Sequence, residues 1–186
     1  MFRKIVSFTI EQSNLKTWLI ALKLYLLTGG VLMPYGASRI SEAAGHPVEI
    51  LDLQFSYDKE RVVEILSGYS ERARTLAAIF NATADSFYPV IYALLFIVTV
   101  SWIFKNVDGG RAYLKVLLVL PILIMLVDYM ENSYIISLLN DFPKINDTNV
   151  LYGSLFTTTK WSLVFFQVGI ILSGLILLIW QKAKVK

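Results

Sequence analysis

The chain has 186 residues, 56% of them hydrophobic and 17% charged, and its mean hydropathy of +0.60 indicates an integral membrane protein rather than a soluble domain. Its net charge of +3 comes without the basic stripe and interleaved aromatic residues of nucleic-acid-binding surfaces, so no nucleic acid is expected as a partner. With no cysteine and one histidine, the sequence excludes disulfides, thiolate catalysis, iron–sulfur clusters and multi-histidine metal centres, and it predicts neither a metal nor a cofactor.

The N-terminal part of the chain begins with a basic segment and a first spanning helix. Residues 1–16 mix basic and apolar side chains, which predicts a short helix lying on the cytoplasmic face of the membrane. The first span is predicted over residues 17–35, and we expect this helix to end at Pro34 and Gly36. Lys23, inside the apolar run, is expected to extend its ammonium group towards the cytoplasmic interface.

Residues 36–84 form the longest polar stretch and predict a small helical cap on the extracytoplasmic side. Asp58 is placed to cap the N-terminus of a short amphipathic helix that Gly68 ends. Ser70 begins a second helix, which is expected to run without a break into the second span. A stretch of this length buries too little surface to fold alone, so we expect one membrane domain over residues 1–186.

Three further apolar runs predict spans over residues 85–104, 112–139 and 158–180. Pro89 is expected to kink the second span near its outer end, and Pro121 is expected to bend the third. The segment 140–157 between the third and fourth spans is predicted to be a polar connector. The fold class is therefore all-α, a polytopic four-helix membrane bundle with a helical cap.

Four crossings place both termini on the same side of the membrane. Because cytoplasmic loops carry an excess of Lys and Arg, the basic residues near the termini and in the second connector predict that this side is cytoplasmic. These residues are Arg3, Lys4, Lys16, Lys105, Arg111, Lys115, Lys182, Lys184 and Lys186. The expected location is a bacterial inner membrane, with the cap and the 140–157 connector outside.

The third span carries acidic residues inside its apolar length. Asp128, Glu131 and Asn132 stand at positions i, i+3 and i+4, which share one face of a helix. A charged group at membrane depth costs several kcal/mol unless it is paired, neutralised or hydrated, so this face is expected to point into the bundle. Asp128 lies 13 residues after Lys115, roughly 20 Å along a helix, which places it just outside the midplane.

Polar residues at the outer ends of the other spans are expected to join this face. Asp85 opens the second span and Lys160 the fourth, while Tyr88 and Tyr92 share the helical face of Asp85. The predicted polar network consists of Asp85, Tyr88, Tyr92, Asp128, Glu131, Asn132 and Lys160. Three acids against one lysine predict either that one carboxyl is protonated or that a cation or a second base enters from outside.

Two interpretations of this network remain open from the sequence. Interhelical polar contacts in membranes contribute about 0.6 kcal/mol each on average, and the residues would then only hold the helices together. Alternatively they line a functional pocket, because three acids exceed what helix register requires. His46 and Asp52 of the cap would lie over such a pocket, although a lone loop histidine is more often simply solvated.

The motifs around these residues resemble those of a group of uncharacterised bacterial four-span membrane proteins. The shared patterns are D-x-x-Y-P at Asp85 to Pro89, D-x-x-E-N at Asp128 to Asn132, and K-W at Lys160 and Trp161. The resemblance implies the four-span topology and points to the same polar residues. It carries no activity.

Three functions follow as expectations. The first is an outward-facing acidic pocket that binds or passes a small amphipathic, lipid-like or cationic ligand. The second is a membrane-embedded enzyme that uses Asp128 or Glu131 as a general acid or base on a lipid substrate. The third is an accessory subunit whose apolar faces contact a larger membrane protein. Membrane lipids are expected partners in each case.

Overall fold

A computed structural model describes residues 2–184, with side chains from Ser7 onward. This part of the chain is all-helical, with 84% of residues in helices and no strand. The α-helices in chain order are α1 (Phe2–Gln12), α2 (Leu15–Leu27), α3 (Met33–Ala44), α4 (Lys59–Ser67), α5 (Glu71–Ala82), α6 (Ala84–Phe104), α7 (Leu114–Leu117), α8 (Val119–Asp141) and α9 (Asp147–Lys184).

The described residues include three helices that are long and apolar enough to cross a membrane. They are Leu15–Ala44 with 30 residues, Glu71–Phe104 with 34 and Asp147–Lys184 with 38. Their length and composition are consistent with an integral membrane protein. The remaining predicted span corresponds to α8, which has 23 residues and is not among these three.

The first long helix does not end at Pro34, and that prediction is wrong. A π-helical turn over Thr28–Leu32 joins α2 to α3, and the Met33 N–H donates to the Thr28 carbonyl five residues earlier. This wider turn accommodates a proline that has no N–H to donate. The helix ends only at Gly45, whose φ of 86° lies in the left-handed region that favours glycine.

The two helices of the predicted cap begin where their sequence signals stand, and the first of them ends at Gly68 as predicted. The Asp58 carboxylate accepts a hydrogen bond of 2.8 Å from the Arg61 N–H, and Gly68 follows the end of α4. The Ser70 hydroxyl oxygen accepts from the Ala73 N–H at 3.1 Å and starts α5. The expected continuity of this helix with the second span is interrupted at one residue, Thr83, between α5 and α6.

The predicted third span is broken near its start. A 3₁₀ turn and the short α7 precede Leu118, where the helix is interrupted before α8 begins at Val119. Pro121 explains the position of this break. It has no backbone N–H to donate to the carbonyl of Leu117, and its ring crowds that carbonyl. The interruption lies three residues before Pro121, and the expected bend at Pro121 itself stays a prediction.

The last helix begins 11 residues before the predicted start of the fourth span, so the second half of the expected polar connector is helical. The Asn146 side-chain oxygen accepts from the Thr148 N–H at 2.8 Å and satisfies a donor at the N-terminus of α9. Asp147 adds a negative charge to the first turn, which the helix dipole favours. This capping signal was not recognised in the sequence.

The chain packs as two compact units. The first consists of residues 2–25, 90–125 and 162–184. In its core, Val100 and Leu114 are fully buried among apolar neighbours. The Trp18 indole N–H donates to Thr99 Oγ1 at 3.0 Å and its ring lies 5.8 Å from that of Trp102, which fixes α2 against α6.

The second unit consists of Leu26–Pro89 and Leu126–Trp161. Its core brings the helices of the 36–84 segment against α8 and the start of α9, with Val62, Leu66 and Leu138 fully buried. Helices α3 and α5 approach closely at Gly36, where a Cβ would lie 2.2 Å from Cε2 of Phe80. The acidic residues singled out in the sequence all belong to this unit.

Candidate functional site

The centre of the site is an ion pair inside the second unit. Lys160 on α9 pairs with Glu131 on α8. The other Glu131 carboxylate oxygen, Oε1, accepts a 2.7 Å hydrogen bond from the Thr157 hydroxyl. Thr157 and Lys160 are one helical turn apart on α9, so both reach the same carboxylate. All three side chains are buried, which makes this a fixed polar contact between the two helices.

Two further carboxylates surround this pair. Asp128 lies one turn before Glu131 on α8 and Asp85 begins α6, and both residues are buried. Asp85 interacts electrostatically with Asp128, Lys160 and Glu131, so the three predicted acids and the predicted lysine share one neighbourhood. The structure thus brings together the charged residues that the sequence pattern selected.

A fourth carboxylate comes from the loop before α4. Asp52 lies in a 3₁₀ turn over Leu51–Leu53 and interacts electrostatically with Asp85, Glu131 and Lys160. Its Oδ1 atom is buried and makes no hydrogen bond within the described chain. The sequence placed Asp52 over a pocket without including it in the network. We use the name acidic site for Asp52, Asp85, Asp128, Glu131 and Lys160.

The acidic site holds four carboxyl groups and one lysine. If every group were charged, the surplus would be three negative charges, from four carboxylates and one ammonium, and every one of these residues except the partly exposed Asp52 is buried. Repulsion between carboxylates in a low dielectric is costly, so protons or a cation must reduce it. The site is therefore suited to bind positive charge.

Asn132 adds a neutral polar group beside these acids. Its side chain is 3% exposed, and neither the oxygen nor the nitrogen of the amide has a hydrogen-bond partner among residues 2–184. A buried amide without partners costs about 1–3 kcal/mol. A water molecule or a ligand that hydrogen-bonds to the Asn132 amide would remove this cost.

Hydrogen bonds to α9 hold the loop that carries Asp52. The Trp161 indole N–H donates to the Asp52 carbonyl at 3.1 Å, and the Thr158 hydroxyl donates to the Phe55 carbonyl at 3.0 Å. The Tyr57 N–H donates to the Ser154 hydroxyl oxygen at 2.9 Å. These contacts hold the loop over the helical turn that carries Lys160.

Tyr57 places a phenol next to the ion pair. Burial raises the pKa of Tyr57 to about 12, the nearby Thr157 hydroxyl acts in the opposite direction, and the Glu131 charge raises the pKa further. Its hydroxyl is therefore protonated near neutral pH and available as a donor. The helix α9 comes close here because residue 153 is glycine, where a Cβ would lie 2.6 Å from the Tyr57 hydroxyl oxygen.

The two predicted tyrosines have different surroundings. Tyr88 lies against the π turn, where a Cβ at Gly29 would be 3.0 Å from the Tyr88 hydroxyl oxygen. Tyr92 belongs to the first unit and is buried, with its ring centroid 5.9 Å from that of Phe96. Their role as walls of the pocket stays a prediction. His46 is exposed, as expected for a solvated histidine.

Three contributors were not selected from the sequence. Thr157 fell in the segment read as a connector, although its spacing to Lys160 places both on one helical face. Tyr57 and Asp52 reach the site only because the loop folds back along α9. No local sequence pattern indicates that contact.

The arrangement has carboxylates for a cation, a protonated phenol, and an amide without a hydrogen-bond partner among residues 2–184. Within residues 2–184, no group of three or more His, Asp or Glu side chains is placed to hold a metal ion. Comparison with models of protein families, with curated proteins and with solved structures finds no match to this chain.

Proposed function

We propose that the chain is an integral membrane protein with four crossings, whose outward-facing acidic site binds a small cationic and amphipathic ligand. Three helices with the length and hydropathy of spans support the membrane location. Helix α8 supplies the fourth crossing, since its 23 residues extend roughly 34 Å, and the hydrocarbon core is about 30 Å thick.

The orientation rests on the distribution of basic residues. Basic residues near both termini and in the connector after α6 assign both termini to the cytoplasm. They are Lys16, Lys105, Arg111, Lys115 and the C-terminal lysines. The loop with Asp52 and the start of α9 then lie on the outer side. The resemblance to bacterial four-span proteins favours an inner membrane.

The single observation that carries the proposal is the charge imbalance of the acidic site. Four carboxyl groups share a neighbourhood with one lysine, and Asn132 adds an amide without partners. An organic cation would neutralise part of the surplus, and an N–H group on such a cation would donate to the amide oxygen of Asn132. The site lies among helices that are proposed to span the membrane and to be surrounded by lipid. The rest of the ligand is therefore expected to be apolar.

The test is a calorimetric titration of the purified chain with dodecyltrimethylammonium. The measurements are made in dodecyl maltoside, which carries the same alkyl chain without a charge. Asp128→Asn removes one carboxylate and should weaken binding about tenfold, because the trimethylammonium group loses one attractive charge. Glu60→Gln is the matched control, because Glu60 is an exposed acid in α4, and it should bind like the unchanged protein.

Two outcomes would contradict the proposal. Equal affinity of the Asp128→Asn and unchanged proteins would remove this carboxylate from any binding site. Absence of binding by the unchanged chain, together with a lower unfolding temperature for Asp128→Asn, would assign the polar network to helix packing alone. That second result is the one expected of an accessory subunit.

A further inference from the structure

A polar cavity lies in the first unit and shares no residue with the acidic site. Its volume is about 260 Å³, and it lies between α1 and the connector that follows α6. The lining residues are Ser7, Ile10, Glu11, Lys105, Asn106 and Arg111. Hydroxyl, amide, ammonium and guanidinium groups thus surround one space.

The walls of this cavity are held in place by the protein itself. The Lys105 ammonium group contacts the carbonyl oxygens of Ile10 and Ser13 at the C-terminal end of α1, where the helix dipole favours a positive charge. The Asp108 N–H donates to the Gln181 side-chain oxygen at 3.0 Å, which fixes the connector to α9. Binding would therefore require little ordering of the backbone.

The connector can turn this tightly because of two glycines. Gly109 has a φ of 73°, in the left-handed region that favours glycine. At Gly110 a Cβ would lie 2.3 Å from the Phe104 carbonyl oxygen, so a side chain would not fit. The turn brings Arg111 back beside Lys105 at the cavity.

The charge of the cavity is positive. Lys105 and Arg111 outnumber Glu11, and no described side chain forms an ion pair with the Arg111 guanidinium. A guanidinium presents two parallel N–H donors that match two oxygens of a phosphate. Lys105 adds a second positive charge at a fixed position.

We propose that this cavity binds the phosphate group of an anionic phospholipid. Phe8 on α1 and Leu15 at the start of α2 are 63% and 54% exposed, and they flank the lining residues Ile10 and Glu11 in sequence. An amphipathic helix with such side chains lies at the level of lipid headgroups. A lipid phosphate would reach Arg111 and Lys105 while its acyl chains follow the apolar surface.

The test measures lipid binding to the full chain by native mass spectrometry in neutral detergent. Phosphatidylglycerol should bind more tightly than phosphatidylcholine, whose choline group places a positive charge near the cavity. Arg111→Gln should weaken phosphatidylglycerol binding about tenfold through loss of the bidentate contact. The affinity of Arg111→Lys should fall between that of the unchanged protein and that of Arg111→Gln. Lysine keeps the positive charge but lacks the two parallel N–H donors of the guanidinium.

Lys115→Gln is the matched control. Lys115 is an exposed base shortly after the same connector, it does not line the cavity, and its loss changes the net charge equally. This variant should retain the affinity of the unchanged protein. If Lys115→Gln and Arg111→Gln weakened phosphatidylglycerol binding equally, the effect would come from net charge alone. That result would contradict a lipid site at this cavity. Displacement of the lipid by inorganic phosphate at comparable concentration would overturn the lipid assignment in favour of a free phosphate ligand.

Discussion

The Glu131–Lys160 ion pair is the residue contact on which the acidic site depends. Both side chains are buried, and the Thr157 hydroxyl satisfies a second carboxylate oxygen of Glu131. A buried pair contributes little net stability relative to two apolar residues, but one partner alone leaves a buried charge uncompensated. The pair therefore fixes the approach of α8 to α9, and either residue requires the other.

We expect Lys160→Met to destabilise the protein by about 3–5 kcal/mol, because Glu131 would lose its cation. Adding Glu131→Gln should recover much of this loss, since the uncompensated charge disappears as well. The control is Lys59→Met, which breaks the exposed pair with Asp147, whose side chains are 50% and 78% exposed, and should cost about 0–1 kcal/mol. The free energy of unfolding in detergent is measured for the unchanged protein, Lys160→Met, the double variant and Lys59→Met. A double variant no more stable than Lys160→Met would show that the pair is not coupled.

At the scale of the helices, Gly36 determines how closely α3 packs on α5. A Cβ at this position would lie 2.2 Å from the Phe80 ring, so Gly36→Ala must displace that ring and should cost about 1–3 kcal/mol. Phe80→Leu in the same chain should relieve part of the cost. Gly30→Ala is the control, because its Cβ would meet no atom within 4 Å. Thermal unfolding distinguishes them, and equal stability of the two alanine variants would contradict the close approach.

Local signals predicted some helices and long-range packing decided others. Asp58 and Ser70 cap their helices through bonds to residues three positions later, so the sequence alone indicated both starts. Pro34 was predicted to end a helix, because proline normally does so. The π turn before it accommodates the proline, and no feature of the amino-acid composition indicates such a turn. The α9 start was missed because the polar residues before it looked like a connector.

The same distinction holds for the acidic site. Asp128 and Glu131 were predicted because acids inside an apolar run are rare and share a helical face. Asp85 and Lys160 followed from their positions at the ends of apolar runs. Asp52 and Tyr57 were not predicted as members, since their approach depends on a loop held by Trp161 and Ser154 about a hundred residues later.

At the scale of the whole molecule, the proposed four-crossing topology concerns the side of the membrane from which the acidic site is reached. The acidic site is assigned to the outer side, where it would receive a cation from outside the cell. This assignment is testable with single cysteines, because the natural chain has none.

The most direct measurement is the rate at which Asn132→Cys in intact cells reacts with membrane-impermeant methanethiosulfonates of opposite charge. We expect Asn132→Cys to react faster with the trimethylammonium reagent than with the sulfonate reagent, because the surrounding carboxylates attract the cation. Dodecyltrimethylammonium should protect it from both reagents. The exposed control Ser67→Cys should react similarly with both reagents and show no protection. Equal rates at Asn132→Cys, or reaction there only after the membrane is opened, would contradict an outward-facing site for cations.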